Sequence, residues 1–281
     1  MRGTILPGGD DENAANLTKS GPPEERKRQA ADPNFMMSLA RGLIVIQALN
    51  QQRRALSASQ ISQRTGIPRA AVRRCLLTLM HLGFVASEDE RCYTLRPRVL
   101  SLGYAYLASS PLGKVAQPIL SNVRNRLQET ASISVLDGDQ ILCIARSPAN
   151  RLMTTNLDAG GRLPASCTSI GRVLISQFKD EAIDSYLDSV KLVAHTSKTI
   201  VDVAALRVEL IEIRQKGFCI VDEELEIGLR SLAVPVIDEA GAAIAGLSVG
   251  VHTARVSVAD LIDSFLPVLK EAAVEVGMLV R

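Results

Sequence analysis

From Met36 to Leu49 the apolar residues Leu39, Leu43, Ile46 and Leu49 recur at i, i+4, i+7 and i+10, which predicts an amphipathic helix. Ser57-Ala58-Ser59-Gln60 has the form of a capping box and predicts a short helix from there to about Arg64. Gly66 then supplies the left-handed backbone that closes a helix, and Pro68 suits the first position of the next one. That next helix presents Val72, Leu76, Leu79 and Met80 on one side and Arg69, Arg73, Arg74 and Leu77 on the other. After Gly83, two short runs at 84–87 and 92–95 alternate as strands around the charged turn Glu88-Asp89-Glu90-Arg91. Helix, short helix, glycine turn, arginine-bearing helix and hairpin predict a winged helix-turn-helix.

A further helix is predicted from Pro97 to about Ala108, ahead of a boundary at Ser109-Ser110-Pro111. Beyond it, Val115, Ile119, Val123 and Leu127 mark another amphipathic helix, followed by a hairpin around Asp137-Gly138 with strands near 132–136 and 141–146. A third strand is predicted near 151–156, helices at 166–177 and 180–187, and a helix from Val203 to Gly217. Strands follow near 218–221, 230–237 and 243–251, and a closing helix runs from about Val256 to Val280. Strands joined by tight turns, with helices grouped outside them, predict an α+β domain on an antiparallel sheet. The expected organisation is a disordered tail over 1–32, a DNA-binding module over 33–96, a linker helix over 97–110 and a second domain over 111–281.

Composition agrees with two folded domains: 281 residues, 47% of them hydrophobic. No apolar run reaches the ~18 residues of a membrane span, and the acidic, polar N-terminus differs from a secretion signal, so a cytoplasmic protein with no membrane partner is expected. Five cysteines without a C-x-x-C pair, and only three histidines, argue against a disulfide framework and against a metal centre. With no G-x-G-x-x-G or Walker motif, no cofactor is expected.

Charge sharpens the picture because of where it lies. Residues 33–112 hold ten arginines and three acids, a net +7, whereas 113–281 nets −4. Between Pro33 and Ser87 there is no Asp or Glu at all, but seven arginines. A surface stripped of acid and loaded with arginine suits a polyanion.

The stretch Ser166-Cys167-Thr168-Ser169 opens a predicted apolar helix behind Pro164 and admits three readings. Cys167 could be a nucleophile with a lowered pKa, making the protein a hydrolase or transferase, although no histidine or carboxylate lies nearby in sequence. The amides and hydroxyls could cradle an anion at a helix start, or the stretch could simply cap the helix. A thiol redox sensor built on one of the cysteines is a further alternative. Arg146, at the end of an apolar strand, is a second candidate to hold a carboxylate, or else makes a structural ion pair. Asp222, Glu223, Glu224 and Glu226 read as a solvated loop, or as partners for arginines or ligand hydroxyls.

Three segments in order, "QISQRTGIPRAAVRRCLLTL", "GGRLPASCTSIGRVLIS" and "VDEELEIGLRSLAVPVIDEAGAAIAGLSVG", resemble the IclR family of bacterial transcription regulators, and the likeness runs from about Met36 to the C-terminus. "CIARS" followed by "RLMTTNL" is similar to the branch governing catabolism of protocatechuate and 4-hydroxybenzoate. The resemblance implies a winged helix-turn-helix joined by a linker helix to a GAF-like α+β effector domain. It also implies a homodimer or tetramer on a palindromic duplex operator and a small, aromatic carboxylate effector. It puts Gln60, Arg69, Ala70, Arg73, Arg74 and Arg91 against DNA. Effector contacts are carried to Leu152, Thr155, Ser166, Cys167, Thr168, Ser169, Ile170, Val221 or Asp222, Ser231, Ser248 and Gly250, with Arg146 beside them and Leu229 as an apolar wall. Ala70 and Ala71 stand where the family usually has a hydroxyl residue, Ser231 where it often has cysteine, and Gly250 where it has serine.

Overall fold

The computed structural model describes residues 32–50, 55–89, 91–109, 111–149 and 158–280. The predicted tail, except for Asp32, and the strand predicted at 151–156 lie outside the described residues. The chain forms two compact units that divide between Tyr106 and Leu107, within helix α4 (Leu100–Ser109).

The first unit starts with α1 (Met37–Asn50) and a two-residue strand β1 (Leu56–Ser57) that the sequence pattern did not reveal. Helix α2 (Ala58–Thr65) begins where predicted: the Ser57 hydroxyl accepts from the Gln60 amide at 3.3 Å, and the Gln60 side chain accepts from the Ser57 amide at 2.9 Å. Gly66 ends it at φ 67°. Pro68 takes the position before the first residue of α3 (Arg69–His81) rather than the first position itself, because its carbonyl already accepts from Ala71 and Val72. Strands β2 (Val85–Ala86) and β3 (Cys92–Leu95) form the wing, and β1 adds to the outer edge of β3 in the order β1-β3-β2. The Asp89 carboxylate accepts from the amides of Arg91 and Cys92, which fastens the wing turn. Val45, Ile61, Val72 and Leu76 are fully buried at the centre of the unit, each burial contributing about 1.5–3 kcal/mol.

The second unit is built on six antiparallel strands in the order β6-β5-β4-β9-β8-β7: β4 (Thr130–Asp137), β5 (Gln140–Ser147), β6 (Arg162–Pro164), β7 (Cys219–Asp222), β8 (Leu229–Ile237) and β9 (Ala243–His252). Both faces are covered. Helix α5 (Leu112–Leu127) and the closing helices pack on one face, with Ile133, Leu247 and Val249 fully buried between. Helices α6 (Ser169–Ile175), α7 (Asp180–Ser189) and α8 (Val203–Lys216) pack on the other, around Ile141, Val173 and Leu210. The chain closes through α9 (Val258–Asp260), one π-turn at Leu261–Phe265 and α10 (Leu266–Leu279), where a single uninterrupted helix was expected. No helix among the described residues is long and apolar enough to cross a membrane.

Two local features set the geometry of the α6 side. Helix α6 starts at Ser169, not Ser166, because Thr168 caps it: its hydroxyl accepts from the Gly171 amide at 3.3 Å and donates to the Pro164 carbonyl at 2.9 Å. Ser166 and Cys167 therefore belong to the turn before the helix. Gly171 allows that turn to close, since a Cβ there would stand 2.1 Å from the Ala165 carbonyl oxygen. The second feature is a bulge in β5. Ser132 pairs with Arg146 and Ile133 with Ala145, but Ser134 pairs with Cys143, so Ile144 is an extra residue. Without it, Arg146 would share a face with Ile144 and Leu142; with it, Arg146 shares a face with Cys143 and Ile141.

Candidate functional site

On the first unit, Arg69, Arg73 and Arg74 stand exposed along α3, and none makes an ion pair among the described residues. Ala70 and Arg91 are exposed as well, Arg91 on the wing. Gln60 is exposed, but its side-chain oxygen is engaged by the Ser57 amide, which leaves its NH2 group to face outward partners. With Val72, Leu76 and Leu79 holding the helix to its core, the arginine side is the one a groove of duplex DNA would meet.

On the second unit a solvent-open cleft lies between the sheet and the start of α6. Strand register builds its floor. Arg146 on β5, Ser132 on β4 and Ser248 on β9 are direct cross-strand partners, and the two serine oxygens are 3.1 Å apart. One row along, Thr130, Gly250 and Ser231 form a second set across β4, β9 and β8. Thr168, Ser169 and Ile170 of the α6 turn close one side, and Ile141, Leu163, Leu225 and Leu229 supply aliphatic walls. The Arg146 side chain is 12% exposed and meets Asp158 at 3.2 Å, while Asp158 itself lies 78% exposed. At the helix start the Gly171 amide is taken by Thr168, whereas those of Ser169 and Ile170 make no hydrogen bond among the described residues. A guanidinium at one end, hydroxyls beneath and aliphatic walls around suit a small, flat acid chemically.

Eight of the residues named from the sequence thus border one cleft: Arg146, Thr168, Ser169, Ile170, Leu229, Ser231, Ser248 and Gly250. The others fall elsewhere. Ser166 does not line it; its carbonyl accepts from the Arg172 guanidinium at 2.7 Å. Asp222 is held by Arg230 in a two-pronged pair at 2.9 Å. Leu152 and Thr155 lie outside the described residues. Thr130 and Ser132 were missed, although the alternation Thr130-Ala131-Ser132-Ile133-Ser134 in an apolar strand is a readable polar stripe.

The reading of Cys167 as a nucleophile does not survive. Cys167 is 2% exposed and lies before the helix, and burial pushes its pKa up to about 12, the reverse of what a nucleophile requires. Cys143 and Cys219 are buried too, and their thiols are likewise raised by burial. Among the described residues no group of His, Cys, Asp or Glu could hold a metal ion.

The chain matches the sequence profiles of two domains, "Bacterial transcriptional regulator IclR C-terminal" over residues 104–278 and "IclR helix-turn-helix domain" over 38–89. The Pca regulon regulatory protein of Pseudomonas putida is 50% identical over 243 residues, covering 86% of this chain and 83% of that protein. The p-hydroxybenzoate hydroxylase transcriptional activator of Acinetobacter baylyi is 37% identical over 252 residues, covering 88% of this chain and 93% of that protein. Among solved structures, the inducer-binding domain of an Acinetobacter PobR double mutant with 3-hydroxybenzoic acid is 36% identical, with TM-score 0.58, covering 60% of this chain and 98% of that one.

Proposed function

This chain belongs to the IclR family of bacterial transcriptional regulators, and on that footing we propose that an aromatic carboxylate in the cleft governs how its winged helix engages DNA. It is a DNA-binding regulator and not an enzyme. The observation that carries the effector reading is the placement of Arg146: a largely buried guanidinium facing two serine hydroxyls in a cleft otherwise walled by aliphatic side chains. A carboxylate there gains charge-assisted hydrogen bonds, and a ring fills the space between Ile141, Leu163, Leu225 and Leu229. The hydroxybenzoate names attached to two relatives support the aromatic class, and the first relative supports control of aromatic catabolism.

The working form is a cytoplasmic homodimer or tetramer on a palindromic operator, because a two-fold protein reads a two-fold site. Effector and operator affinities are linked reciprocally, with a coupling of typically ~1–3 kcal/mol. Calorimetry of the full chain with protocatechuate, 4-hydroxybenzoate, terephthalate and pyruvate tests the reading. Binding of an aromatic acid, lost in Arg146→Ala, supports it. Binding of none of the four rejects it.

A further inference from the structure

Strand β4 turns three hydroxyls toward the cleft side of the sheet, at Thr130, Ser132 and Ser134. The first two border the cleft; Ser134 does not. It is fully buried, and its hydroxyl has no oxygen or nitrogen partner among the described residues. Its cross-strand neighbours offer little: Gly246 has no side chain, and Cys143 presents only a sulfur, a weak acceptor near the Ser134 hydroxyl, while its own thiol is directed at the Ala145 carbonyl at 3.6 Å. A buried hydroxyl left in this condition is uncommon and costly, so its persistence in an apolar layer calls for a partner that arrives later.

Ile170 stands between the cleft and Gly246, the residue directly across from Ser134. A Cβ on Gly246 would stand 2.7 Å from the Ile170 Cγ2, so the isoleucine rests on the bare backbone of the glycine directly across from Ser134. The same isoleucine borders the cleft on its other side. Ser134 lies one strand repeat inward from Ser132, about 6.7 Å along the strand. That spacing is close to the span of a benzene ring bearing a polar group at each end. A carboxylate seated on the row of Arg146, Ser132 and Ser248 directs the far end of its ring at the row of Ser134.

We propose that Ser134 is the specificity-determining residue of the cleft: when Ile170 turns off Gly246, the Ser134 hydroxyl receives the ring hydroxyl opposite the carboxylate. This assignment rests on the reading of the cleft as an aromatic-carboxylate site. The burial of an unpaired hydroxyl serves selection, since a ligand without a matching polar group leaves Ser134 unpaired while a hydroxylated one satisfies it.

The test is calorimetry of the full chain with benzoate, 3-hydroxybenzoate and 4-hydroxybenzoate, on wild type and Ser134→Ala, with thermal unfolding of both proteins. The wild type is expected to prefer 4-hydroxybenzoate over benzoate, and Ser134→Ala to shrink that ratio by a few-fold to about ten-fold by weakening only the hydroxylated ligand. Ser134→Ala is also expected to melt at a temperature equal to or above the wild type, because it removes an unsatisfied hydroxyl. A purely structural serine would do the opposite, lowering the melting temperature and leaving the ratio unchanged, and that result overturns the proposal. Wild-type binding to all three acids with a ratio indifferent to Ser134→Ala overturns it while sparing the carboxylate reading. Binding to none of them removes both.

Discussion

Arg172 and Glu224 meet inside the second unit with two guanidinium nitrogens on two carboxylate oxygens, each at 2.6 Å, and side chains only 1% and 9% exposed. The pair joins two borders of the cleft. The Arg172 Nε also donates to the Ser166 carbonyl at 2.7 Å, in the turn that precedes Thr168 and Ser169. Glu224 accepts from the Ile200 amide at 2.9 Å and precedes Leu225, which walls the opposite side.

Replacing one partner leaves a buried charge without compensation, which typically costs ~3–5 kcal/mol. Arg172→Met and Glu224→Leu are each expected to lower the urea midpoint accordingly, and the double variant to recover much of the loss. If either single change costs less than about 1 kcal/mol, the pair does not hold the cleft together.

On the proposed reading of the cleft, Asp158 is expected to compete with the effector for Arg146. Because Asp158 is 78% exposed, the ion pair is weak, on the order of 0–1 kcal/mol. Asp158→Asn should therefore tighten aromatic-acid binding by no more than about five-fold and leave operator affinity without effector unchanged. Weaker binding in Asp158→Asn would mean that the aspartate positions the arginine rather than competing for its ligand.

The exposed arginines of α3 are expected to act individually at the DNA. Arg73→Ala or Arg74→Ala should each reduce operator affinity by ~1–3 kcal/mol where a two-pronged base contact is lost. Where a phosphate contact is lost, the loss is the same on every sequence and the salt dependence shallows by about one charge. Gel shifts across a salt series separate the two cases, and unchanged shifts in both variants refute the assignment.

Alkaline pH should destabilise the second unit. Burial raises the Cys167 pKa from 9.0 to about 12, and burial raises Cys219 and Tyr186 as well. The unfolded chain releases these protons first, so the stabilising contribution is complete below pH ~9 and falls as pH climbs toward the folded values. Melting temperatures at pH 8 and pH 10.5 measure the effect, which Cys167→Ser should reduce. The same burial predicts that Cys167 resists iodoacetamide at pH 8 until the protein is unfolded; rapid labelling of the native protein would contradict it.

The helix-turn-helix was legible because every signal in it is local. The Ser57–Gln60 box, Gly66 and the arginines of α3 act within a few residues of one another. The cleft was legible only in part. Thr168 displaced the expected helix start by three residues because its hydroxyl reaches both Pro164 and Gly171, a choice that the row of small polar residues does not announce. Ser132 faces Ser248 across 116 residues, and Arg172 finds Glu224 across 52, so neither partnership has a local signature. The loop acids read either as solvated or as partners for arginines, and only the fold names the cations, Arg230 to Asp222, Lys198 to Glu223 and Arg172 to Glu224.

Ile144, the unpaired residue of β5, works as a phase shift between two readings of the same strand. Flatten the bulge at unchanged chain length, with Ile144 drawn into the ladder, and the residues that follow keep their chemistry but exchange audiences: the Arg146 guanidinium would turn toward the layer beneath α5, and Ala145 would look into the cleft. No substitution at position 146 reproduces that outcome; only a change of register does. The positive charge of the proposed receptor is therefore inherited as a register as much as a residue. A homologue one residue shorter between Cys143 and Arg146 would keep its cation on the cleft side of a regular strand, whereas one of equal length without the bulge would have to recruit its cation from another strand.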